Sequence, residues 1–228
     1  MTLSPQDIDA VILSVKVGVW ATLISAPMGF IVAWIFVYRR FPGKFLVEGI
    51  INLPLVLPPV VVGYLLLVTL GRQGFLGQAL DQLGIPIVFT VKAAVVASVV
   101  VGFPLLVRAI RIGMETIDPE YIQAARTLGA GSLDTLLTVV LPLSSRAILA
   151  GMSLMFARSL GEFGATIVLA GNIPGITQTI PLAIYDYTNT PGGDKSAMVL
   201  CGVSILLSFA VLIISEASSG SLRKRKDP

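Results

Sequence analysis

The sequence predicts an all-α integral membrane protein with five transmembrane helices. Three observations carry that prediction. Hydrophobic residues fill 55% of the 228 positions and charged residues only 13%, with a mean hydropathy of +0.89; soluble domains carry about 25% charged residues. Uncharged runs such as 17–37 and 49–70 reach the ~20 apolar residues a helix needs to cross a ~30 Å hydrocarbon core. The polar–apolar alternation of a membrane β-barrel is absent.

The helices are expected at about 13–37, 49–70, 91–112, 144–169 and 196–215, in a single transmembrane domain over 1–228. Residues 1–15 hold no Lys or Arg, whereas a secretory signal starts basic. The first helix is therefore expected to be retained, with Pro27 and Gly29 as a tolerated kink. The second opens on Leu53-Pro54-Leu55-Val56-Leu57-Pro58-Pro59. Three prolines remove backbone donors, so this segment is expected to be irregular and covered by protein. A Gly-rich loop is expected over 71–90. In the third helix, Lys92 and Arg108 lie near the ends and can snorkel. Its Ala94, Ser98 and Gly102 recur every four residues, a thin face suited to close helix contact, and Pro104 is expected to kink it.

Residues 114–142 are the most polar long segment of an apolar chain and read as two short helices meeting at a bend. Asp118 can cap the first, and Pro119 suits its first turn because no donor is needed there. Gly129 and Gly131 allow the left-handed backbone that ends a helix. Ser132 is expected to cap the second helix, and Pro142 to end it.

The fourth helix carries a small-residue stripe, Ser153, Ala157, Gly161 and Ala165, with Arg158, Glu162 and Thr166 beside it. A charge at mid-bilayer costs at least ~2.5–3.5 kcal/mol, so Arg158 and Glu162 must face protein or water. Spaced i, i+4, each can reach the other. Three roles are open for the pair: a structural ion bridge, a positive element in an anion path, or a contact between subunits. A loop is expected over 170–194, and a fifth helix follows it. Cys201 lies in an apolar run and reads as a small buried core residue.

Basic residues set the expected orientation. Arg39, Arg40, Lys44, Arg108, Arg111, Arg126, Arg146 and the tail Arg223-Lys224-Arg225-Lys226 fall on one side of five helices; Lys16, Arg72, Lys92 and Lys195 fall on the other. The positive-inside rule then puts the N-terminus outside and both the 114–142 elbow and the C-terminus in the cytoplasm. The tail reads as a topology signal, with a lipid-binding or interaction motif as the alternative. The net charge of +3 needs no nucleic acid to explain it. With one Cys and no His, the usual zinc and haem ligand sets and a histidine triad are excluded. No metal and no cofactor is expected in this chain. Gly192-Gly193-Asp194-Lys195-Ser196 is only a superficial echo of a phosphate loop. An enzyme is not expected, and energy must come from another subunit.

Gln123-Ala124-Ala125, Gly129 and Leu141-Pro142, with Val139 in the Ile position, resemble the EAA loop of importer-type ABC permeases. The chain departs from the pattern at Gln123, where the family has Glu. Phe156-Ala157-Arg158-Ser159-Leu160-Gly161-Glu162-Phe163-Gly164-Ala165 and Gly171-Asn172-Ile173-Pro174 are similar to permeases for the tetrahedral oxyanions molybdate, tungstate and sulfate. The 53–64 run, Phe41-Pro42-Gly43-Lys44 and Thr190-Pro191-Gly192-Gly193 resemble the molybdate branch. The resemblance covers nearly the whole chain. It implies a type I ABC importer permease in the bacterial inner membrane, a homodimer carrying molybdate and possible tungstate. It also implies a cytosolic ATP-binding cassette dimer and an extracytoplasmic molybdate-binding protein as partners, with lipid around the spans. In the family the loop is the coupling helix; here that role would fall to Pro119, Glu120, Tyr121, Gln123, Ala124, Ala125, Arg126, Leu128, Gly129 and Ala130. A sulfate or thiosulfate permease is the alternative within the class. A secondary anion transporter would instead show paired inverted repeats with broken helices, which five spans do not divide into.

Overall fold

A computed structural model describes residues 3–224; Arg225 and Lys226 of the basic tail lie outside the described residues. Helix α1 runs Pro5–Tyr38, earlier than the apolar run alone indicates, because Ser4 and Asp7 form a reciprocal capping box. Ser4 Oγ accepts from the Asp7 N–H at 3.2 Å, and Asp7 Oδ2 accepts from the Ser4 N–H at 2.7 Å. Helices α2 (Lys44–Val56) and α3 (Pro59–Leu70) replace the single span expected over 49–70. They meet at an angle of 116°, since Pro58 takes an extended backbone and neither Pro58 nor Pro59 can donate. A short α4 (Phe75–Gln82) lies within the expected 71–90 loop.

Helix α5 (Val91–Glu115) buries the thin face that its sequence spacing indicates: Ala94, Ser98 and Gly102 are all inaccessible. The elbow consists of α6 (Pro119–Thr127), α7 (Ser132–Thr135) and a π-helical turn over Leu136–Val140 that leads directly into α8 (Leu141–Leu160). Pro142 therefore does not end a helix; it lies in the first turn of α8. The wide π turn, in which the Leu141 N–H reaches the Leu136 carbonyl, accommodates a residue with no donor of its own. The expected continuous helix over 144–169 is also corrected. It breaks after Leu160 and restarts as α9 (Gly164–Leu169), so Ser153, Ala157, Gly161 and Ala165 do not share one face. The expected 170–194 loop contains α10 (Ile180–Thr188), and α11 spans Asp194–Lys224.

Among the described residues, four helices are long and apolar enough to cross a membrane, or five if the bent α2–α3 pair is one span. Helices α1, α5 and α8 pack on one another and form the centre. Small residues bring them close. A Cβ on Gly18 would lie 2.9 Å from the Phe156 ring, and one on Gly29 would lie 2.9 Å from Leu106 Cδ2. Burial of side chains such as Leu106, Ile110 and Met155 supplies the packing in this centre. No residue of α2 is buried, and Ile205, Leu206 and Phe209 of α11 are exposed. Cys201 is exposed too. It lies on the outward face of α11, although the adjacent Leu200 is buried in the core.

The two ends of the bundle are distinct. At one, the Tyr187 hydroxyl of α10 donates to Asp7 Oδ1 at 2.8 Å, and the Ile180 N–H donates to Ser14 Oγ at 2.8 Å. At the other, the Tyr38 hydroxyl at the end of α1 donates to the Met114 carbonyl at 3.4 Å, beside the elbow. The start of α1 and the elbow therefore lie at opposite ends.

Candidate coupling surface and buried ion pair

The elbow is built as a small rigid knuckle. Asp118 Oδ1 accepts from the Glu120 N–H at 3.0 Å and caps α6, with Pro119 at the first helical position. The helix ends in a Schellman arrangement. The Gly129 N–H reaches the Arg126 carbonyl at 3.0 Å, and the Ala130 N–H reaches the Ala125 carbonyl at 3.0 Å. Gly129 adopts φ +90°, a backbone that side chains resist, so glycine at this spacing closes the knuckle. Ser132 is not the cap of the next helix: Gly131 takes the N-cap position without a side-chain bond, and Ser132 is the first helical residue.

One face of the knuckle is fastened to the bundle. Ile122 and Leu136 pack against a cluster that includes Met114 and Val140. The other face is open. Tyr121 is 60% exposed, Leu128 89% and Leu133 74%; Glu120, Gln123, Ala124 and Arg126 are exposed around them, and Ala125 and Ala130 are half-buried beneath. Apolar side chains framed by polar ones at a protruding elbow suit contact with another protein. Behind this face, α7, the π turn and α8 form one continuous helical path over Ser132–Leu160.

That path ends at the second site. Arg158 lies in the last turn of α8, where a cation complements the helix dipole. Its guanidinium stands 2.8 Å from Glu162 Oε2, the Arg side chain 30% exposed and the Glu 2%. The N–H is not aimed along this contact, so it is a charge pair rather than a hydrogen bond. Glu162 Oε1 accepts from the Ala165 N–H at 2.8 Å, inside the first turn of α9. One carboxylate thus joins the end of one helix to the start of the next. The i, i+4 spacing does bring the two charges together, but across a break rather than along one helix.

This break lies against the other one. A Cβ on Gly164 would come within 2.9 Å of Pro59 Cβ and 3.1 Å of the Val60 nitrogen; a Cβ on Gly63 would come within 2.8 Å of Ala165 Cα. Phe163 and Tyr185 rings meet at 5.2 Å. The α2–α3 corner and the α8–α9 gap therefore touch backbone to backbone. Sequence reasoning missed this junction; the signal available was Gly161 and Gly164 flanking Glu162-Phe163. Among the described residues no group of three or more Cys, Asp or Glu could hold a metal ion.

A family model described as binding-protein-dependent transport system inner membrane component matches residues 25–219. The chain is 51% identical over 226 residues to the molybdenum transport system permease protein ModB of Escherichia coli strain K12, covering 99% of each. It is 37% identical over 214 residues to the sulfate transport system permease protein CysT of Salmonella typhimurium, covering 91% of this chain and 76% of that one. The crystal structure of a bacterial alginate ABC transporter in complex with alginate pentasaccharide-bound periplasmic protein matches with a TM-score of 0.74 at 16% identity, over 95% of this chain and 79% of that one. That last likeness is one of fold.

Proposed function

The chain belongs to the inner membrane components of binding-protein-dependent transport systems, and from that premise we propose that it is the permease subunit of an ATP-driven importer of molybdate. The observation that carries the substrate is identity: 51% to a molybdenum permease against 37% to a sulfate permease. Tungstate, which shares molybdate's shape and charge, is a second cargo. The chain itself supplies no phosphate loop and no nucleophile–base pair, so hydrolysis belongs to another subunit.

Two copies of the chain pair in the membrane, with the N-terminus outside and the elbow and C-terminus in the cytoplasm. A dimer of ATP-binding cassette subunits docks on the open face of the knuckle, from Pro119 to Ala130. Closure of that dimer on ATP draws the elbows together, and α8 carries the displacement to the break at Arg158–Glu162. A molybdate-binding protein delivers the anion from outside, and hydrolysis resets the inward-facing state. At the break, Glu162 holds the two helix ends together through both of its oxygens. The open edge of Arg158 lends positive potential to the path. Binding there is weak, since conduction requires release.

The test is ATP-dependent molybdate uptake into vesicles carrying the chain, its ATPase and its binding protein, with sulfate as competitor. Uptake that survives ATP depletion and follows an ion gradient would overturn the reading, and so would an elbow labelled from outside the cell. At the ion pair, Arg158→Lys keeps partial uptake if potential is what Arg158 supplies, whereas Arg158→Ala does not. Equal loss of assembly in both variants would make the pair purely structural.

A further inference from the structure

The second concentration of charge lies at the elbow end of the bundle, between α1, α2 and α5, and the ion-pair site makes no use of it. Glu48 is shared between Arg111, whose NH1 lies 3.1 Å away, and Lys44 at 3.8 Å. Arg111 also donates from Nε to Glu115 at 2.7 Å. Lys44 in turn donates to the Phe36 carbonyl at the end of α1. This network fastens the foot of α2 to α5 and α1. Three cations, Lys44, Arg108 and Arg111, stand against two carboxylates, Glu48 and Glu115, so one positive charge is uncompensated. Arg108 carries it: among the described residues it makes no ion pair.

Arg108 does not simply point away into solvent. With Arg111, Asn52, Phe36, Pro104 and Val107 it lines a pocket of about 230 Å³. Asn52 gives one amide hydrogen to the Glu48 carbonyl at 2.7 Å and keeps the other. The wall thus offers a guanidinium fork, an amide donor and apolar surface, while both nearby carboxylates are already engaged by Arg111. Planar guanidinium donors match the oxygens of a tetrahedral oxyanion. At about 30 Å³ per water, the pocket holds such an ion with part of its hydration. Arg108 lies seven residues before the end of α5, roughly 10 Å up the helix axis from the elbow end.

We propose that this pocket is an oxyanion-binding station at the inner end of the translocation path, with Arg108 as its positive contact and Asn52 as its neutral donor. The inference rests on the importer reading above. A phosphate headgroup offers the same chemistry, so the experiment separates the two sources. The complete importer is placed in nanodiscs of zwitterionic lipid alone or with anionic lipid, free of nucleotide. Bound molybdate is measured by equilibrium dialysis, retained lipid by native mass spectrometry, and ATP-driven uptake in matching proteoliposomes. Arg108→Gln is expected to lower both molybdate retention and uptake about tenfold in either lipid. Arg108→Lys should recover part of each, and Asn52→Ala should show a smaller loss. Co-purification of Arg108→Gln with the ATPase at wild-type stoichiometry establishes that it folds. Wild-type uptake by Arg108→Gln would overturn the proposal. An anionic lipid held by the wild type and lost from Arg108→Gln, with uptake unchanged, would also overturn it and assign the pocket to a headgroup. If the wild type carries sulfate and not molybdate, but Arg108→Gln still lowers that uptake, the cargo reading fails while the station stands.

Discussion

Replacing Gly63 with alanine tests the junction between the two broken helices. The added Cβ would sit 2.8 Å from Ala165 Cα, 2.9 Å from Ala165 O and 3.1 Å from Val168 Cβ. Two of these atoms are backbone and cannot swing aside, so α3 and α9 must part by about 0.6 Å to reach ordinary contact. Overpacking of this kind costs about 1–3 kcal/mol, against a gain of up to ~1 kcal/mol from replacing glycine within a helix. Gly49→Ala in α2 isolates the gain, because nothing lies within 4 Å of its new Cβ. The difference between the two variants is then the clash alone. At about 2–4 °C per kcal/mol, Gly63→Ala should melt roughly 2–12 °C below Gly49→Ala in nanodisc thermal scans. Equal melting temperatures would show that α3 and α9 do not meet backbone to backbone, and the account of the junction would fall with them.

Three further outcomes are expected. Gly129→Val forces a branched side chain into φ +90° and should cost about 1–2 kcal/mol; Gly131→Ala, at φ −70° with open space around it, should be neutral, both measured by thermal unfolding. Leu128→Asp removes no contact from the fold, so stability should hold within about 0.5 kcal/mol, while ATP-driven uptake and co-purification of the ATPase drop more than tenfold; intact coupling would move the docking face elsewhere. Tyr187→Phe deletes the 2.8 Å bond to Asp7 and should cost about 1–2 kcal/mol. Donation to the Asp7 carboxylate raises the Tyr187 phenol above its ordinary value. The stabilisation is therefore full below pH ~10 and is lost as pH rises through the raised value, a step that melting of Tyr187→Phe should not show.

The spans were legible because apolar length is a one-dimensional property. So was the first half of the elbow: an Asp-Pro start and a glycine ten residues past Pro119 are local signals with local causes. What sequence reasoning lost depended on neighbours distant in the chain. The prolines at 58 and 59 marked irregularity, but not the size of the 116° corner or the packing of α3 on α9. No proline marks the gap after Leu160, and a regular stripe of small residues concealed it. Cys201 was misplaced because an apolar run does not say whether its face meets the core or something outside the chain. The α1 start was present as Ser4 and Asp7, but a span-length criterion stops where the apolar run stops.

The helix breaks matter because of where the continuous helix ends. A lever transmits motion along continuous segments, and the continuous helix here runs from Ser132 at the elbow to Leu160. The π turn at Leu136–Val140 is what keeps it unbroken past Pro142. Beyond Leu160 the chain bends, and one carboxylate holds Arg158 on one side and the Ala165 amide on the other. The next element in line is the α2–α3 corner, in backbone contact through Gly63 and Gly164. Helix α2 leads from that corner back to the elbow end, where Glu48 ties it to Arg111 on α5. Under the proposed coupling, displacement of the elbow would reach α2 by two routes: up α8 and over the junction, or directly through α5. A rigid elbow with compliant breaks would move the Arg158 edge and the Arg108 pocket together, which is what an alternating path for an anion requires of its two ends.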